Sequence, residues 1–207
     1  MANLDFVQIG LQLAVLILSL TVHEAAHAWT ANRLGDPTAR LLGRLSFNPL
    51  VHIDPVGTVV FPLVAIATGL PLIGWAKPVP VDFHNLASPR RDFALIAAAG
   101  PASNLLMALG GAAAFAALRA TSDGSGLAIG LVLMFVVLNV LLAVFNMFPV
   151  PPLDGGNVLM GVLPSSLAGV VDRIRPYGII VLYALMLSGA LFRIAGPVQR
   201  FILDLLL

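Results

Sequence analysis

The chain carries the pentapeptide His23-Glu24-Ala25-Ala26-His27 within a long apolar stretch. On a helix, residues four apart share a face, so both imidazoles can reach one metal ion. The carboxylate beside the first histidine is then placed to act on a water molecule that the metal activates. The pattern predicts metal-assisted hydrolysis. A lone histidine in an apolar helix is usually just packed there. Here two of the chain's four histidines flank an acid at ligand spacing, and ionisable side chains within a membrane helix are costly and mark function.

Catalytic zinc usually takes three protein ligands and keeps one position open. The chain has no cysteine, so the third ligand must be His, Asp or Glu. His52, His84, Asp54, Asp82 and Asp154 are the candidates. Asp154 ends the run Asn146-Met147-Phe148-Pro149-Val150-Pro151-Pro152-Leu153-Asp154-Gly155-Gly156. Its prolines break the preceding apolar helix, and its glycines let the backbone turn sharply. Irregular backbone at membrane depth survives only where it lines a cavity or is buried in protein. A carboxylate on such a break can reach a metal. Equally, it can cap the next helix from an ordinary turn. His52, close to Asp54, reads either as a residue at the edge of a site or as a loop histidine, and His84 reads as solvated.

The elements that must position these residues lie in a membrane. The 207 residues are 59% hydrophobic and 10% charged, with a mean hydropathy of +0.98. A soluble domain averages about 25% charged residues, so this chain cannot cover a globular surface. Its net charge of +1 excludes a basic nucleic-acid footprint. A spanning helix needs about 20 apolar residues, and segments 6–30, 92–119, 126–148 and 177–196 qualify or come close. Asp5 stands where a secretory signal would be basic, so the first segment reads as a retained helix. A fifth apolar segment, 56–74, carries Pro62 and Pro71 with Gly57, Gly69 and Gly74. The expected fold is an all-α polytopic membrane protein, one domain over 1–207, with about 4–5 transmembrane helices and a re-entrant or broken segment at 56–74. Loops 33–55 and 75–90 are polar and turn-rich, and a hairpin or edge strand over Thr38 to Phe47 is expected to join the latter in a small β element at the membrane face. Such an edge could accept an extended substrate.

With these residues set out, the chain resembles the site-2 protease family of intramembrane zinc metalloproteases. The matching pieces are His23-Glu24-Ala25-Ala26-His27, Gly100-Pro101-Ala102-Ser103-Asn104, and Asn146 through Leu153-Asp154-Gly155, in the family's order. It is similar to the compact bacterial branch through Gly35-Asp36-Pro37-Thr38-Ala39-Arg40, Asn48 through Asp54-Pro55, and Gly74-Trp75-Ala76-Lys77-Pro78-Val79-Pro80. It departs from larger members in showing no PDZ or CBS module. The resemblance implies that His23, His27 and Asp154 bind one zinc ion and that Glu24 is the acid/base. It implies cleavage of transmembrane segments of membrane-protein substrates within the bilayer. An amide can donate to an oxyanion without bringing charge into lipid, which nominates Asn146 and Asn104. The resemblance favours Asn146. Asn104 reads equally as an interhelical hydrogen-bonding residue beside Ala97, Ala98, Ala99 and Gly100.

Topology constrains the site. At 1.5 Å per residue, His23 lies about 25 Å along the first helix, near its C-terminal side. Asp154 reaches that side only if 56–74 enters and returns. Lys/Arg counting agrees. In the returning arrangement Arg33, Arg40, Arg44, Lys77, Arg90, Arg91, Arg173 and Arg175 share one side, against Arg119, Arg193 and Arg200. A crossing 56–74 would leave six against five. The positive-inside bias then puts the active site of this multi-pass cell-membrane protein nearer the cytoplasm. The rival reading, a metal-ion transporter or channel using the same ligands, wants further intramembrane acids along a path, and the spans contain almost none. An inactive, substrate-binding relative fits poorly with an intact His23, Glu24, His27 and Asp154 set.

Overall fold

The computed structural model describes residues 6–60, 64, 76–121 and 126–207. Three long helices dominate: α1 (Phe6–Arg33), α3 (Pro89–Thr121) and α4 (Gly126–Asn146). Each holds a stretch long and apolar enough to cross a membrane. Between α1 and α3 lies the single turn α2 (Thr38–Leu41). After α4 come the shorter α5 (Asp154–Val162), α6 (Ser165–Ile174), α7 (Gly178–Leu187) and α8 (Ala190–Leu206). Helix α3 is central and packs on α1, α4 and α5. Small side chains make the close approach possible, with Ala25, Ala28 and Ala31 of α1 and Ala97 and Ala108 of α3 all buried. Large apolar side chains such as Leu13, Leu18, Leu106, Leu109 and Leu127 point outward, as suits a surface facing lipid.

The expected span 177–196 is broken. Gly189 adopts φ +70° between α7 and α8, a left-handed conformation that glycine takes without penalty. The helical stretches on its two sides meet at 76°. The expected β element is overturned, because the described residues hold no strand. Pro37 and Thr38 carbonyls accept from Leu41 and Leu42 at 2.9 and 3.1 Å, closing a helical turn over what was expected to be a hairpin. Gly43 at φ +70° ends it.

Buried charges, not a backbone ladder, join the two polar loops. Asp36 accepts from the Thr38 backbone, from Asn85 Nδ2 at 2.9 Å and from the Asp82 backbone at 2.8 Å. Burial pushes its carboxyl up. The hydrogen bonds from Thr38, Asn85 and Asp82 outweigh burial and hold it below the usual carboxylate range. Arg44, also buried, donates to the carbonyls of Val51, Lys77 and Pro78. Pro78 and Pro80 have no N–H to offer a ladder, so side chains supply most of the links.

The expected re-entrant segment 56–74 lies mostly outside the described residues. Its flanks do meet, since Lys77 N donates to His52 O at 2.8 Å. Single cysteines at positions 45 and 78 should therefore react with an impermeant maleimide from the same face of sealed vesicles. Labelling from opposite faces would refute this arrangement.

Candidate active site

The site forms where α1, α3 and the break before α5 converge. Helix α4 ends at Asn146, and the proline-rich run that follows turns the chain back to Asp154. Gly155 and Gly156 let the break fold tightly. A Cβ on Gly156 would stand 2.6 Å from Pro151 N, and one on Gly155 would overlap the Met147 carbonyl. Asp154 thereby reaches α1, with its Oδ2 3.1 Å from His23 Nε2 and 3.4 Å from His27 Nε2.

The proton positions of this trio follow from its surroundings. His23 Nδ1–H donates to Asn104 Oδ1 at 2.6 Å, and His27 Nδ1–H donates to the Ile96 carbonyl at 2.7 Å. Both Nδ1 partners accept only, so in the neutral imidazole each Nε2 keeps its lone pair. Two lone pairs thus point at a carboxylate oxygen that is buried without a hydrogen-bond partner. Acceptors this close repel one another unless a cation lies among them. The atoms lie within 4.8 Å of one another and form the one such cluster found among the described residues. Two imidazoles and a carboxylate, with no thiolate, suit zinc in an open catalytic site.

Gly100 forms one wall. A Cβ there would stand 2.5 Å from His23 Nε2 and closer still to His27 Nε2. Only glycine lets α3 come this near the imidazole pair.

Glu24 lies buried on α1 between the two histidines, and its charge interacts with that of buried Arg44. Asn146 closes α4, and one of its amide hydrogens is engaged by the Leu142 carbonyl at 3.0 Å. Asn104 is fully buried, with Oδ1 on His23 and Nδ2 donating to Asn139 Oδ1 at 2.8 Å. His52 is buried outside the trio, its Nε2 donating to the Ser46 carbonyl at 2.9 Å. His84 is exposed beside Asp82. Sequence reasoning missed the Ile96 carbonyl, the part Gly100 plays, and Asn139 with Ser19. Asn139 was findable, as an amide in the most apolar span of the chain. The Ile96 carbonyl carries no signal in sequence.

Apolar crossing helices around a His-His-Asp centre define a membrane-embedded metallohydrolase. Peptidase family M50 matches residues 117–189, a region that includes Asn146 and Asp154. Among curated proteins, the chain is 36% identical over 181 residues to "Putative zinc metalloprotease YwhC" of Bacillus subtilis, covering 84% of this chain and 78% of that protein. It is 32% identical to "Putative zinc metalloprotease Rip2" of Mycolicibacterium smegmatis, covering 86% of this chain and 66% of the relative. The Rip2 protein of Mycobacterium tuberculosis is 30% identical, with 84% and 66% covered. The chain thus spans about two thirds of the length of the Rip2 proteins it matches. No solved structure matches it. The chain belongs to Peptidase family M50, the site-2 protease family, and is a multi-pass membrane zinc metalloprotease.

Proposed function

We propose that the chain, acting as one domain, is an intramembrane endopeptidase that cleaves transmembrane segments of other membrane proteins. The observation that carries this reading is the convergence of three ligand atoms, two of them on a helix that itself qualifies as a span and the third brought to it by the break before α5. His23, His27 and Asp154 would hold one zinc ion. When bound, zinc supplies a Lewis acid that makes water nucleophilic near neutral pH and polarises a carbonyl.

The chain's own residues do the rest. Glu24 takes a proton from the attacking water and delivers it to the leaving amine as the C–N bond breaks. The second amide hydrogen of Asn146 donates to the developing oxyanion. Asn104 spends its Oδ1 on His23 and one amide hydrogen on Asn139, and we read its part as holding His23, as the Ile96 carbonyl holds His27. An interhelical hydrogen bond contributes only about 0.6 kcal/mol on average, and orientation of a ligand is the larger benefit. A substrate helix must unwind locally, because its peptide groups are shielded by their own hydrogen bonds. The Lys/Arg bias, with Arg44 and Lys77 brought together on one side, supports an active site nearer the cytoplasm. The bilayer and a substrate with a transmembrane helix are the implied partners.

The test is cleavage of a single-span substrate by the protein reconstituted in lipid vesicles, with product ends mapped by mass spectrometry. Scission should fall within the apolar segment, stop with a zinc chelator and resume with added zinc. Products ending only in soluble flanks would overturn the intramembrane reading.

A further inference from the structure

The two ends of the Asn104 amide are nearly identical in shape, yet only one suits a metal ligand. With Oδ1 toward His23, the proton sits on Nδ1 and Nε2 is free to bind. With the amide turned over, Nδ2 would donate to His23 Nδ1, move the imidazole proton to Nε2 and block ligation. Something must hold the first orientation. Asn104 Nδ2 donates to Asn139 Oδ1 at 2.8 Å. Asn139 is held in turn, because its Nδ2 donates to the Phe135 carbonyl at 2.9 Å and to Ser19 Oγ at 3.0 Å. A reversed Asn139 would set Oδ1 against the Phe135 carbonyl, two acceptors face to face. Ser19, Asn104 and Asn139 are all 0% exposed, so no water stands in for a lost partner.

We infer that Asn139 is a positioning residue that, through Asn104, fixes the tautomer of His23 and keeps its Nε2 open to the metal. The inference rests on reading His23 as a zinc ligand. A purely structural link among α1, α3 and α4 would make the same bonds, but it would not depend on which way the Asn104 amide points.

That dependence gives the test. Asn104→Asp puts a carboxylate beside His23, and a carboxylate has no wrong end. Zinc dissociation constants are measured by chelator competition on the full chain in detergent, with unfolding of the zinc-free protein followed in parallel. Asn139→Leu should weaken zinc binding about tenfold or more in the Asn104 background, the size usual for loss of a residue that orients a ligand. On the Asn104→Asp background the same change should cost less than about threefold, since only indirect effects remain. Asn139→Ala repeats the comparison, so that a folding defect of one side chain does not decide it. An equal loss on both backgrounds, or no loss on either, overturns the inference. His23→Ala separates the two readings. If it keeps wild-type zinc affinity, the ligand reading falls and takes this inference with it. If it loses zinc while Asn139→Leu does not, the positioning inference alone fails.

Discussion

Glu24→Gln should abolish cleavage while zinc content stays at the wild-type level. The substitution keeps the size and packing of the side chain but removes its basicity. His23, His27 and Asp154 are untouched, with Nε2 of each histidine still directed by Asn104 and Ile96. What is lost is proton transfer from the attacking water and to the leaving amine. A positioned general base contributes about 10²–10⁴ in rate, so kcat/KM should fall by about 10³, near 4 kcal/mol of barrier. Zinc is read by elemental analysis and cleavage in the same vesicles. Cleavage within about threefold of wild type would remove Glu24 from the acid/base role, given the size that role normally has. Loss of zinc together with activity would instead assign Glu24 to metal retention.

Gly100→Ala should weaken zinc binding at least about 100-fold. A single methyl group, the smallest of substitutions, ranks with loss of a ligand here because of where it points. It meets the ring nitrogens of both His23 and His27. No real Cβ tolerates such contacts, so either the imidazoles turn away or α1 and α3 separate. In either case the two Nε2 atoms cease to converge with Asp154 Oδ2. Overpacking a well-packed interior costs about 1–3 kcal/mol, and the zinc-free protein should lose stability by that order. The metal, which needs ligand positions good to a fraction of an ångström, should bind at least about 100-fold more weakly. Gly110→Ala is the matched control, because a Cβ there meets nothing within 4 Å. Full zinc occupancy in Gly100→Ala would show that the helices can part without disturbing the ligands.

Much of this arrangement is legible in the residues because membrane segments obey simple rules. Apolar length locates α1, α3 and α4 to within a few residues of 6–30, 92–119 and 126–148. Pro149, Pro151 and Pro152 announce the break that presents Asp154. The readings that fail do so where length and composition give no answer. The polar, turn-rich stretch from Thr38 to Phe47 suits a hairpin or edge strand, but the Asp36 carboxylate accepts from the Thr38 backbone and a helical turn forms instead. Segment 177–196 remains apolar enough to cross, and what composition does not show is the bend that Gly189 in the left-handed region puts into it.

By itself the sequence determined the chemistry, since two imidazoles four residues apart and an acid between them can do little else within an apolar helix. It also determined that any metal must be held without thiolates. Only the tertiary structure decided which way each imidazole faces. His23 and His27 each have two nitrogens, and the choice between them falls to Asn104 and the Ile96 carbonyl, 81 and 69 residues away along the chain. A tautomer is set by the hydrogen bond made at the other ring nitrogen. That partner is a matter of how α1 and α3 pack, and no local pattern of residues encodes it.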